Sequence, residues 1–221
     1  MRRRLPFLLM LIPASVMADP WPTVEHPGGA RVERLGQHVR LNGIPMRMTR
    51  ALSAAPADEI VAHYRSALGA PVAHSRVGAT EVLAQWRGDH FITVTIAPLA
   101  GGASEALLSI TDLQGAREAA ARPTGFVLPG GSELLSDMES IDGPVSARQL
   151  VLVNAHELHA NLGSFSASLA GRGLRPVGRP QAVSDDALVQ GFEGPSGEAR
   201  LVLVRRDGTT SAVLTLLSRN P

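Results

Sequence analysis

At 221 residues, with 44% hydrophobic and 19% charged side chains, the chain has ordinary globular composition and room for one large domain or two small ones. It contains no cysteine and no lysine, which excludes thiol nucleophiles, thiolate metal sites, disulfides, Schiff-base chemistry and the lysine of a phosphate-binding loop. A formal charge of +1 and an aromatic content of 4% offer neither a basic nucleic-acid footprint nor a stacking platform for bases.

The chain opens with a leader. Arg2, Arg3 and Arg4 are followed by an apolar run from Leu5 to Val16 and a small-residue cleavage site ending at Ala18. That run carries Pro13 and is too short for a transmembrane helix of about twenty residues. The expectation is a signal peptide over 1–18, cleavage after Ala18, and a mature chain in the periplasm of a Gram-negative cell. Cleavage removes three positive charges, so the mature chain is slightly acidic. Residues 19–26 then read as an extended arm, with Trp21 as a packing residue or a partner contact.

A longer pattern follows, and it occurs twice. Pro27-Gly28-Gly29 and Pro129-Gly130-Gly131 each precede a turn signal, Asn42-Gly43 and then Asp142-Gly143. Each turn leads to an extended run (Met46–Leu52; Gln149–Val153), a helix start (Asp58-Glu59-Ile60; His156-Glu157-Leu158) and Gly-punctuated strand segments. A matched series of about ninety residues each time predicts a tandem duplication. The expected architecture is α+β, with repeat units at 27–113 and 129–218 and a linker at 114–128. Each unit is a β-hairpin, one helix and about four antiparallel strands, with the helix on one sheet face.

In the first unit, Asn42-Gly43 fits a type I′ hairpin turn, and Pro45 places this part of its strand at a sheet edge because it has no N–H for the ladder. Ser53 marks the N-cap region and Pro56 the first turn, after which Ile60, Val61, Tyr64 and Leu68 recur at helical spacing. Along 90–96, Ile92, Val94 and Ile96 alternate with Phe91, Thr93 and Thr95, as in a half-buried strand. Arg87-Gly88-Asp89 reads as a turn rather than an adhesion tripeptide. In the second unit Asn154 is the expected N-cap, Leu158, Leu162, Phe165 and Leu169 the apolar stripe, and Asp207-Gly208 the last turn. Glu133, Asp137, Glu139 and Asp142 read as a solvated acidic face.

No catalytic, cofactor or metal set is indicated. His156 and His159 stand at i and i+3 but no third ligand is signalled, and no GxSxG elbow or GxGxxG loop occurs.

Asn42-Gly43-Ile44-Pro45-Met46, Pro56-Ala57-Asp58-Glu59-Ile60-Val61-Ala62-His63-Tyr64-Arg65 and Trp86-Arg87-Gly88-Asp89 resemble small exported proteins of unassigned activity in Gram-negative bacteria. In these a helix ending near a tyrosine precedes an alternating antiparallel sheet. The likeness covers the first unit, mainly 38–110, and the second in outline, with Leu162 in the place of Tyr64. It implies an accessory role in the envelope and no chemistry.

The expected function is therefore a non-enzymatic periplasmic binding or assembly module, accessory to a secretion or pilus machine. It would engage an envelope protein's segments through sheet edges or the groove between units. Trp21, Pro45 and Trp86 are the candidate partner-binding residues; nucleic acid and an integral membrane segment are not expected. The alternatives are a small-molecule or lipid-binding protein with a closed inter-unit pocket, and a hydrolase with an unrecognised site.

Overall fold

The computed structural model describes residues 21–119 and 124–219. The expected signal peptide, the first two residues of the expected arm and residues 120–123 of the expected linker lie outside the described residues. The elements are β1 (Arg31–Arg34), β2 (His38–Leu41), β3 (Ile44–Ser53), α1 (Ala57–Leu68), β4 (Ala73–Val77), β5 (Thr80–Arg87), β6 (His90–Pro98), β7 (Ser104–Asp112) and α2 (Gly115–Ala119). After the linker come β8 (Glu133–Asp142), β9 (Val145–Asn154), α3 (Leu158–Ala170), β10 (Arg175–Ser184), β11 (Ala187–Gly194), β12 (Gly197–Arg206) and β13 (Thr209–Arg219). The class is α+β, dominated by antiparallel sheet.

A single sheet runs β10-β11-β12-β13-β9-β8-β2-β3-β7-β6-β5-β4, with β1 beside β3. The first half follows the path β2-β3-β7-β6-β5-β4 and the second the path β8-β9-β13-β12-β11-β10. They join through a short antiparallel seam, from His38 opposite Ile141 to Leu41 opposite Met138.

The turns explain much of this order. Asn42 (φ 52°) and Gly43 (φ 79°) both take positive φ between β2 and β3, as do Asp207 (φ 52°) and Gly208 (φ 79°) between β12 and β13. The second hairpin differs from expectation. Asp142 pairs with Val145, so the turn residues are Gly143 and Pro144. Proline cannot supply a second positive φ, and Gly143 supplies the single one.

Each half has its own apolar cluster beneath its helix. Tyr64 of α1 is fully buried with Leu83, Ile92, Val94 and Ile96 of the sheet; Phe165 and Leu169 of α3 are fully buried with Leu201, Leu203 and Leu214. The alternation of β6 is as expected, with Ile92, Val94 and Ile96 inward. In α3 the inward row is Leu158, Asn161, Phe165 and Leu169, and Leu162 is only partly covered. Phe165, four residues before Leu169, thus fills the place that Tyr64 holds four before Leu68, correcting the assignment of Leu162. Burying such side chains stabilises by roughly 1.5–3 kcal/mol each.

The helix entries use closely similar bonds. The Ser53 Oγ accepts the Ala55 N–H at 3.1 Å, and the Ser104 Oγ donates to the Ala55 carbonyl at 2.6 Å. The Asn154 Oδ1 accepts the His156 N–H at 3.0 Å, and the Thr210 Oγ1 donates to the His156 carbonyl at 2.6 Å. Ser53 faces Ser104 and Asn154 faces Thr210 in the sheet. Neither Ser53 nor Asn154 is the N-cap: those positions fall on Pro56 and Glu157, without side-chain caps. Asn154 instead exchanges amide hydrogen bonds of 2.8 and 3.0 Å with the buried Asn161. Asn154 and Asn161 thereby satisfy each other where an unpaired amide would be costly.

Both long helices lie on the same side. Alternate residues from Ala51 lead through Arg47 to Pro45, which faces Arg40; Arg40 faces Glu139, and Glu139 faces Arg148, two residues before buried Leu150. The opposite face carries no helix among the described residues. In the second half it presents Val151, Val213, Val202 and Val189 in cross-strand register.

Candidate partner-binding surfaces

The strand that carries Pro45 is not an edge of the sheet, although Pro45 itself lies before its pairing with β7 begins. β3 lies between β2 and β7, and Pro45 sits at its first turn of pairing, opposite Arg40, before the β7 ladder begins at Met46 and Thr111. Its missing N–H therefore removes no bond to β7. The sheet ends instead at β4 and β10.

These ends are built differently. β10 is exposed along its whole length, but Pro176 and Pro180 lack donors, Gly178 has φ 66°, and its pairing with β11 shifts register between Val177 and Gln181 and again between Ala182 and Ser184. Such interruptions are the usual protection against unwanted strand pairing. β4 has none of them. Ala73 to Val77 pair without a break with Ala84 to Thr80, every residue is exposed, and the strand holds neither proline nor glycine. Among the described residues no strand pairs with its outer side, which presents a regular row of N–H and C=O groups. The strand itself was legible over 72–77; its terminal place in the sheet was not, because it depends on pairings remote in sequence.

Pro45 and Trp86 line one open depression of about 680 Å³ at the end of the first half, with Arg40, Asp89 and Asp112. Trp86 is 66% exposed on the helix-free face and meets the Phe91 ring edge-on at 5.7 Å. Trp21 is not with them. It packs on the first core, 5.1 Å from the His90 ring and with the Arg47 guanidinium 4.7 Å from its own ring. The Arg87-Gly88-Asp89 tripeptide is a turn, as expected. Its arginine is held by the Leu68 carbonyl and the Gln85 side chain, each at 2.9 Å.

The acidic face is not uniformly solvated. Glu133 and Asp142 are exposed, whereas Asp137 is buried against Arg148, which donates to both of its carboxylate oxygens at 2.8 and 2.6 Å and reaches Glu139 at 3.4 Å. The Asp137 hydrogen bond holds the Arg148 guanidinium above its ordinary pKa. No charge pattern in the sequence pairs residue 137 with 148; only the β8–β9 register brings them together. His156 precedes α3 rather than lying in it, and its Nε2 bonds to the Gly130 carbonyl at 2.7 Å. Among the described residues no group of three metal-ligating side chains assembles.

The arm is fastened to α1 by two histidines. His26 Nδ1 is hydrogen-bonded to the Tyr64 hydroxyl at 2.8 Å, and His63 Nε2 donates to the Glu25 carbonyl at 3.0 Å. Burial, and then the charge of His63, holds His26 below its ordinary pKa, while burial pushes Tyr64 up to about 12. A histidine whose folded pKa is depressed takes up fewer protons folded than unfolded. Its contribution is intact above the unfolded pKa of about 6.5 and is lost as pH falls toward the folded value. Chemical denaturation should therefore show lower stability at about pH 5 than at about pH 7.5, and a shallower pH slope in His26→Gln; equal slopes would contradict the assignment.

No family model, curated protein or solved structure matches this chain.

Proposed function

We propose that the protein is an exported, non-enzymatic binding or assembly module, built from two copies of one unit, that takes an extended segment of an envelope protein by strand addition at β4. The observation that carries this reading is the asymmetry of the sheet ends: β10 is interrupted by prolines and register shifts, and β4 is left regular and bare. Main-chain hydrogen bonds to such a row give affinity without a deep pocket. The leader over 1–18 supports export. Duplication is supported by the two strand paths and by the paired entry bonds at Ala55 and His156. We associate this reading with a secretion or pilus machine, where extended segments are taken up by strand addition.

The small-molecule reading has less support. The depressions beside Glu139 and Arg148 measure about 210 and 250 Å³, below the roughly 300–1,000 Å³ of ordinary ligand sites, and the larger one beside Pro45 and Trp86 is open rather than a closed pocket between the units. The hydrolase reading gains nothing at the one histidine–carboxylate pair on β4: Ser75 points to the face opposite His74 and Glu81.

A photo-crosslinking amino acid at Ser75, with one at Val183 on β10 for comparison, tests the proposal in intact cells. The expected result is a discrete adduct to an envelope protein from position 75 and none from 183. Equal labelling at both, or no adduct at 75, would overturn it.

A further inference from the structure

Resting on strand addition at β4, the chemistry of that strand points further. We infer that the segment β4 receives belongs to a different chain and alternates acidic with small apolar side chains, its carboxylates falling opposite Arg76 and His74. The two faces of β4 are unlike. Ala73, Ser75 and Val77 align with Ala84, Val82 and Thr80 on the helix-free face. His74 and Arg76 stand on the helix face, both turned toward Glu81. His74 Nε2 is 2.8 Å from Glu81 Oε2, and Arg76 Nε donates to Glu81 Oε1 at 2.5 Å.

Glu81 has only 10% of its side chain exposed, while Arg76 is 71% exposed. The carboxylate is thus committed between β4 and β5, while the guanidinium bonded to it keeps most of its surface open to solvent beside the strand edge. A neighbouring strand would set one of its own side chains beside Arg76, since directly opposed residues share a face. A carboxylate there completes a row of alternating charge across three strands. A lysine there meets a like charge.

The same geometry argues against a second copy of this chain as the occupant. Symmetric antiparallel pairing of two β4 strands keeps both helix faces on one side of the joined sheet. His74 or Arg76 of one copy then falls opposite His74 or Arg76 of the other in every register that pairs the body of the strand. None of these registers offers Arg76 a carboxylate, and the one that sets Arg76 against Arg76 opposes like charges, so an acidic segment fits this edge better than a second copy does.

Fluorescence polarisation with three labelled peptides tests the inference on the intact protein. One alternates valine with glutamate, one valine with threonine and one valine with lysine. The glutamate peptide should bind about tenfold more tightly than the threonine peptide, and the lysine peptide most weakly, two opposed pairs each contributing a modest term. Arg76→Gln should flatten this order and leave threonine-peptide binding in place. Because Arg76 also supports Glu81, raising salt from about 0.05 to 1 M on the unmodified protein gives a second reading: the acid preference should shrink while threonine-peptide binding persists. Equal affinity for all three would overturn the acid preference and leave strand addition standing. Failure of all three to bind a folded protein would overturn both.

Discussion

Replacing Arg148 by methionine should lower the unfolding free energy by about 2–3 kcal/mol, somewhat under the roughly 3–5 kcal/mol seen when one partner of a fully buried ion pair is removed. The discount reflects exposure: 18% of the Arg148 side chain and 12% of Asp137 remain accessible. The loss comes from the Asp137 carboxylate, which the variant leaves desolvated without either guanidinium bond. Asp137 also fastens the two halves. Its N–H donates to the Asn42 Oδ1 at 2.8 Å, and its carbonyl accepts the Asn42 N–H at 2.7 Å, at the inner end of the seam. Urea denaturation read by circular dichroism supplies the measurement. The double variant Asp137→Asn with Arg148→Met should recover much of the loss, since no uncompensated charge then stays behind. A single variant within about 0.5 kcal/mol of the parent would mean that water already solvates the pair and that the seam does not depend on it.

What could be read from the sequence divides along local and non-local physics. Alternation at 91–96, helical spacing at Ile60, Val61, Tyr64 and Leu68, and the Asn-Gly and Asp-Gly turns at 42–43 and 207–208 are local rules, and the fold obeys them. Local rules give way where a residue meets a tertiary partner. Pro45 suggested an edge, yet the position needs no donor to β7 even inside the sheet. Asn154 has the chemistry of an N-cap, but Asn161, Ser132 and the His156 N–H claim its amide. Asp137 looked like one of several solvated acids until β9 placed Arg148 beside it. At the candidate surface, the β4 strand was legible and its edge position was not. Trp86 and Pro45 share a depression only because β5 and β3 both reach the same end of the first half.

Gly197→Ala should be the most damaging single-methyl change in the second half, costing about 4 kcal/mol as backbone strain and overlap add together. Gly197 opens β12, closing the two-residue turn at Pro195 and Ser196 opposite Gly194, and on its other side faces Ser218 of β13. Its φ of 144° lies where side chains are rarely accommodated, and a Cβ would stand 2.0 Å from the Leu217 carbonyl oxygen and 2.9 Å from the Ser218 Cα. Those are backbone atoms of a paired strand, so no rotamer change relieves the contact. The β12–β13 ladder would have to part at that end, next to the row through Ala199 and Leu216. In the first half the comparable hairpin closes with Arg87 and His90, and Gly88 alone carries its positive φ, at 59°. Gly88→Ala, with nothing within 4 Å of its added methyl, should cost only about 1 kcal/mol from backbone conformation. Thermal unfolding of the two alanine variants side by side separates the terms. A large loss at 197 and a small one at 88 assigns the difference to the φ of 144° and the close approach of β13 acting together, whereas similar losses would leave only the cost common to positive φ.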